Sequence, residues 1–288
     1  MKRTGSNASL VSATALMLSV DGVFAADPMI LYGDGNCAYA AVPLSILLSL
    51  AAALAALRLI PEGRPAPLFI RLAVSLGMLV FPVRALLVFL RVLHTLVYDG
   101  VGYFSLLAFI VPAVLFIMLR GEEVSARTAR CFSWVLLASA AASIASSASG
   151  FETYRLYPLL GGSVPRLLTA VLTGMPVFVP PLLCAGLFGK ERAGSRTCIV
   201  SALIAAGVTA CALLASGLCF PSEMLKDMTM PLYSAGALDP RQSFVLRLDK
   251  LFIMLWLGGT MISAAHAGAA SVRLLKMGAP FAAERRRA

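Results

Sequence analysis

Two ionisable side chains interrupt long apolar runs in this sequence, Asp21 within SLVSATALMLSVDGVFA (9–25) and Arg84 within FPVRALLVFL (81–90). At 1.5 Å per residue from the inner ends of their runs, each would lie about 18 to 20 Å into a bilayer. An ionised group at that depth costs about 2.5 to 3.5 kcal/mol on insertion scales, so it normally lines a cavity and has a partner. The placement predicts that Asp21 and Arg84 face each other; a plainer reading leaves Asp21 at a frayed helix end near water and Arg84 snorkelling to the interface. Helix breakers stand in corresponding places. Asp21-Gly22 interrupts the first run, and Gly174-Met175-Pro176 followed by Pro180-Pro181 interrupts the sixth. Gly and Pro inside a span free backbone groups that must find other partners, which a cavity or ligand can supply. Interrupted helices at matching positions of two halves point to a transporter-type site between inverted repeats. First and sixth are matching positions in two five-helix repeats. On that reading Gly22 and Val23 present unwound backbone to a small ligand, Gly174, Met175 and Pro176 form the opposite wall, and Asp21 and Arg84 balance charge. Backbone N–H groups at a half-helix start would suit a carboxylate. Proline kinks taken alone are commonly structural.

Only membrane-spanning helices position such residues. Apolar residues make up 59% of the 288 and charged residues 13%, against roughly 45–50% and 25% in a soluble domain. With mean hydropathy at +0.87, the chain has too little polar surface to coat a soluble fold, and about eight spans fit its length. Disorder, a disulfide-rich secreted domain and a nucleic-acid binder are excluded. Apolar runs fall near 9–31, 38–57, 69–95, 102–119, 131–149, 166–189, 197–219 and 248–271. With the N-terminus inside, 16 of the 24 Lys and Arg fall on inner segments, 6 on outer segments and 2 within spans. The net charge of +10 therefore reads as positive-inside orientation with both termini cytoplasmic, in a multi-pass protein of the cell membrane. A rival for the first span is a cleaved signal peptide, from Lys2 and Arg3 through VFA before Ala26. Against cleavage, PMILY (28–32) resumes the apolar run to about 23 residues.

One integral membrane domain over 1–288 is expected: a first repeat at about 9–149, an incomplete second at about 150–272, and a basic cytoplasmic tail at 273–288. The fifth and seventh spans, SWVLLASAAASIASSASG and SALIAAGVTACALLASG, are rich in small residues that let helix backbones approach, so they are expected inside the bundle. There is no HExxH, CxxC or GxxxxGK and no credible Ser-His-Asp set; no enzyme, metal site or cofactor is expected. The six cysteines behave as small apolar residues, with Cys37 and Cys219 the one pair able to meet on the outer side.

Four stretches carry a resemblance to a known family. GEEVSARTAR (121–130), through Glu123 and Arg127, looks like a Gly-x-Glu-x-x-x-Arg segment before a fifth helix. YRLYPLLGGSVPRLL (154–168), through Pro158, Gly161 and Pro165, looks like a Leu-x-Pro-x-x-Gly stretch leading into a sixth. MTMPLYSAG (228–236) matches an aromatic-Pro segment through Pro231, and FVLRLDKLFIMLWLGG (244–259), with Arg247, Asp249 and Trp256, matches an Arg-x-Asp helix head. In these the chain resembles the B-subunit family of spore-germination nutrient receptors, within the amino acid, polyamine and organocation permease superfamily.

The resemblance implies an all-α, polytopic bundle with a partial inverted-repeat amino-acid permease fold of about eight transmembrane helices, the last two of ten being absent. It implies a germinant-receptor subunit binding a small nutrient such as an amino acid, in the spore inner membrane, with A-type and C-type partner subunits beside the lipid bilayer. The sixth run, VFVPPLL, lacks the Glu usual in the family. A secondary active permease for amino acids or organic cations and a structural membrane protein with a degenerate site are the alternatives. Read locally, Glu123 and Arg127 are an i, i+4 ion pair, while Arg247 and Asp249 cap a helix and Trp256 is a lipid-facing anchor.

Overall fold

The computed structural model describes residues 4–25, 37–60, 66–96, 102–157, 163–189, 194–221, 224, 225, 228, 231–237 and 248–276. Among them there is no strand. The helices are α1 (Thr4–Val20), continued by a π-helical turn (Asp21–Ala25), α2 (Ala38–Leu59), α3 (Leu68–Leu96), α4 (Tyr103–Leu119) and α5 (Glu122–Ser147). After short 3-10 turns come α6 (Val164–Gly189), α7 (Gly194–Cys219), the short α8 (Pro231–Ala237) and α9 (Leu248–Lys276). Among the described residues α2, α3, α5, α6, α7 and α9 are long and apolar enough to cross a membrane, with mean hydropathy of 1.3 to 2.4 over their most apolar windows. The protein is therefore a multi-pass membrane helix bundle. Two shorter apolar helices, Asn7–Val23 and Tyr103–Leu119, accompany them.

Two apolar cores meet at α1. One gathers Val42 and Ile46 of α2, Phe178 and Leu182 of α6 and Ala202 and Ala205 of α7 around Met17 and Leu18. The other gathers Phe89 and Leu90 of α3, Ala129 and Leu136 of α5 and Phe252 and Trp256 of α9 around Ala13, Leu16 and Val20. A helix that is apolar all round is a buried one, and every residue from 13 to 22 is buried.

The interior position belongs to α9, whose most apolar window is 72% buried, against 50% for α7 and 22% for α5. This corrects the placement of the fifth span inside the bundle. Its small residues form one stripe, with Ala126, Ala129, Ala140, Ser143 and Ser147 buried, while Trp134, Val135 and Leu137 face outward. An interior helix needs small or apolar residues on every side, which GGTMISAAHAGAAS (258–271) supplies. Helix α9 packs antiparallel on α3 through side-chain-to-carbonyl bonds. Arg71 donates from Nη1 to the Leu275 carbonyl (3.2 Å) and from Nε to that of Ala66 (2.9 Å). Ser271 Oγ donates to the Ser75 carbonyl at 3.2 Å, and Ser75 Oγ returns the bond at 3.5 Å. Trp256 lies within this core at 2% exposure, its ring centroid 5.5 Å from that of Phe252. It is a packing residue, which corrects the lipid-facing reading.

Between α4 and α5 the chain reverses at Gly121, with φ 92° and ψ 169°. That region of backbone space is essentially open to glycine alone, so the glycine of the GEEVSARTAR stretch has a conformational role. It also starts α5 at Glu122, nine residues before the apolar run at 131. Gly121→Ala is expected to lower the stability of the detergent-purified protein by about 1 to 3 kcal/mol. Denaturant unfolding followed by circular dichroism measures it; an unchanged midpoint would show that the turn relaxes at no cost.

Candidate functional site

Asp21 opens the π-helical turn that ends α1. Its side chain is fully buried, and neither carboxyl oxygen has a hydrogen-bond partner among the described residues. Buried polar groups are ordinarily satisfied, and an orphan costs about 1 to 3 kcal/mol in mutational terms. Turns of the π type are uncommon and concentrate at functional positions, because the extra residue spoils the regular hydrogen-bond ladder. The expected interruption of the first helix thus takes the form of a π turn.

Neighbouring helices close tightly on this turn. A Cβ placed on Gly22 would lie 2.7 Å from Thr209 Cγ2 of α7, 3.3 Å from Val42 Cγ1 of α2 and 3.7 Å from Phe178 Cε1 of α6. A Cβ on Gly174 would lie 2.6 Å from Ser45 Oγ and 3.6 Å from Phe178 Cε2. Gly22 and Gly174 therefore flank the same buried ring. The two stretches singled out from sequence do meet, with Phe178 as the link the sequence did not reveal. Val23 is half-buried and packs toward the α3–α5–α9 core.

The sixth span departs from expectation. Helix α6 runs unbroken from Val164 to Gly189 with Pro176, Pro180 and Pro181 inside it. Its neighbours accommodate the disturbance. Ser45 and Ser49, one turn apart on α2, donate to the Val171 carbonyl at 2.9 Å and the Met175 carbonyl at 3.5 Å. Pro180 fits against Gly77 of α3, where a Cβ would come within 2.9 Å of the proline Cβ. Pro176 is exposed on the outer side and Met175 is half-buried, so within 174–176 it is Gly174 that turns toward α2.

Arg84 is exposed on α3 beside Val83 and Leu87, while Ala85 and Leu86 point inward. It makes no hydrogen bond to Asp21, whose oxygens accept none. The expected pair is thus not formed, and Arg84 occupies the outer stripe where a long side chain snorkels.

In the first turns of α5, Arg127 Nη2 and Glu123 Oε2 are 3.5 Å apart with both side chains over 70% exposed, which matches the local ion pair and is worth a few tenths of a kcal/mol at most. The neighbouring carboxylate is the buried one. Glu122, its side chain 7% exposed, is paired with Arg273 of α9, whose guanidinium lies 4.8 Å over the Phe188 ring. Ser125 Oγ donates to the Glu122 carbonyl at 2.9 Å and stands 3.0 Å from Nδ1 of buried His266. Sequence reasoning passed over Glu122, Ser125, His266 and Arg273. Their signal was spacing, i and i+3 on one helix and i and i+7 on the other.

Pro231 is buried at the first position of α8, where its missing N–H has no helical acceptor to serve. Asp249 stands in the first turn of α9. Pro158, Gly161 and Arg247 lie outside the described residues, as does the tail beyond 276. All six cysteines are free thiols, Cys37 and Cys219 both being buried, so that pairing is not formed.

An orphan carboxyl predicts a specific stability response. Asp21→Leu is expected to raise unfolding free energy by about 1 to 3 kcal/mol, and Asp21→Arg combined with Arg84→Asp to insert and fold no better than either single change. Denaturant titrations and membrane-fraction yields read both. A destabilised Asp21→Leu protein, or rescue by the swap, would reveal a partner for the carboxyl. No family model matches the chain, and no curated protein matches it.

Proposed function

We propose that this protein is a permease-like, eight-crossing membrane subunit that binds a small nutrient, such as an amino acid, at the π turn of α1, in the manner of a germinant-receptor B subunit. The observation that carries the reading is the buried Asp21 carboxyl, left without a hydrogen-bond partner among the described residues where α1 meets α2, α6 and α7. A solute carrying an ammonium or amide donor would satisfy it, and a charge-assisted bond of that kind is worth about 1.5 to 3 kcal/mol. Helix neighbours support two related halves. If α6 repeats α1, α7 repeats α2 and α9 repeats α3, the contact of α1 with α7 has its counterpart in that of α6 with α2. The contact of α1 with α9 likewise has its counterpart in that of α6 with α3, and all four are present. In this reading α1 and α4 complete the eight crossings, both termini are cytoplasmic, and A-type and C-type subunits are the partners in a spore inner membrane.

Tight packing around Gly22 and Gly174 describes a closed state, and a ligand that binds an opened one shifts the population toward it. The test is a thermal-shift and calorimetry screen of the nanodisc-reconstituted protein against amino acids and polyamines. Saturable binding that Asp21→Asn weakens about tenfold or more supports the proposal. The absence of any binding solute, together with unaltered phenotype for Gly22→Val and Gly174→Val, would favour a structural protein. Ion-coupled uptake into proteoliposomes would favour a permease over a receptor.

A further inference from the structure

A crevice opens on the outside of the bundle between α1, α5 and α7, away from the Asp21 turn. It is about 680 Å³ in volume, and Asn7, Arg130, Trp134, Arg196 and Thr197 are among the residues that line it. Ser12, Ser133, Leu137 and Ile204 on its wall also line a smaller adjoining cavity of about 60 Å³, whose other residues include Leu16, Leu136, Val208 and Trp256. The shared residues set a basic, polar pocket directly beside an apolar one.

The basic pocket lies at a definable depth. Asn7, Arg130 and Arg196 each stand just before the apolar runs that begin near 9, 131 and 197, and the structure gathers all three around it. On the positive-inside reading this is the cytoplasmic headgroup level, where an exposed tryptophan such as Trp134, 74% exposed, commonly sits. Asn7 is in the first turn of α1, and Arg196 and Thr197 are in the first turn of α7. Two helix N-termini thus converge there, and each favours negative charge. Neither Arg130 nor Arg196 is ion-paired among the described residues; the two acids that precede Arg130 on α5 are engaged elsewhere, Glu123 with Arg127 and Glu122 with Arg273.

We infer that this crevice holds a glycerophospholipid of the inner leaflet with an anionic headgroup. Its phosphate would lie between the Arg130 and Arg196 guanidinium groups, and one acyl chain would pass Ser133 and Leu137 toward Trp256. The adjoining apolar cavity selects a lipid over a free anion, and the arginines select an anionic lipid over a zwitterionic one, since bilayer-facing basic pockets at the cytoplasmic side recognise such headgroups. Because the chain would touch α1 and α9 together, occupancy would tie these interior helices to leaflet composition. The inference rests on the membrane-spanning reading of α1, α5 and α7 and does not require solute binding at Asp21.

Native mass spectrometry of the full chain, released from detergent after incubation with phosphatidylglycerol or phosphatidylcholine of identical chains, is the test. The wild type is expected to retain about tenfold more phosphatidylglycerol. The preference should vanish in the Arg130→Gln, Arg196→Gln double variant and persist when both are changed to Lys. Ser133→Trp, which enlarges a residue shared by the two pockets and keeps both arginines, should lose the bound lipid; it serves as the second probe if the Gln variant does not fold. Equal retention of the two lipids, an unchanged preference in the Gln variant, or displacement by soluble glycerol phosphate at the same concentration would each overturn the inference. So would a lipid-free dimer disrupted by Ser133→Trp, which would assign the crevice to a second copy of the chain.

Discussion

Helices in lipid gain nothing from hydrophobic burial against one another, so this bundle depends on how closely their backbones can approach. Helix α9 sets that limit. Its small residues, from Gly258 to Ser271, allow α3, α5 and α4 to pack around it, and hydroxyls then reach across to carbonyls, as Ser75 and Ser271 do in both directions. The same arrangement joins α2 to α6 through Ser45 and Ser49 and α1 to α7 through Ser201, whose Oγ donates to the Val11 carbonyl at 3.2 Å. Each such bond satisfies a side chain that lipid would leave without a partner.

Against this background the Asp21 carboxyl is an exception. Serines and threonines in the interior mostly close bonds onto their own helix or the next, as Thr209 does onto Ala205 at 2.8 Å. A carboxyl has no such short local option at the start of a π turn. Its cost is carried by the surrounding apolar packing of Met17, Leu18, Val42 and Phe178, which keeps the turn in place without providing it a donor. Sites whose chemistry awaits a ligand are where such local conflicts with folding rules are expected.

Much of the architecture was legible in the sequence because hydropathy and length decide where a span can lie. The second, third, fourth, sixth, seventh and eighth runs agree with helix bounds to within a few residues. What hydropathy does not encode is which side of a helix meets protein. Arg84 and Trp256 both lie in apolar runs, yet one faces outward and the other is buried; the difference is set by neighbours distant in sequence. The same reason hid Glu122 behind Glu123, adjacent residues a helix turns about 100° apart. Of the candidate site, the approach of Gly22 and Gly174 to one another across Phe178 was readable from breakers in corresponding spans. The persistence of α6 through three prolines was not, because α2 and α3 supply the compensation.

The placement of Phe178 has a consequence for how this region can vary. Its ring stands between two glycines, 3.7 Å from the Cβ position of one through Cε1 and 3.6 Å from that of the other through Cε2. A Cβ at Gly22 or at Gly174 comes only into ordinary contact with this ring, while its close approach is to Thr209 Cγ2 at 2.7 Å or to Ser45 Oγ at 2.6 Å. Residues that share a packed neighbour in this way do not contribute additively. Positions 22 and 174, 152 residues apart in sequence, are therefore coupled through one ring, while an enlargement at each is limited first by its own nearer neighbour, Thr209 of α7 or Ser45 of α2.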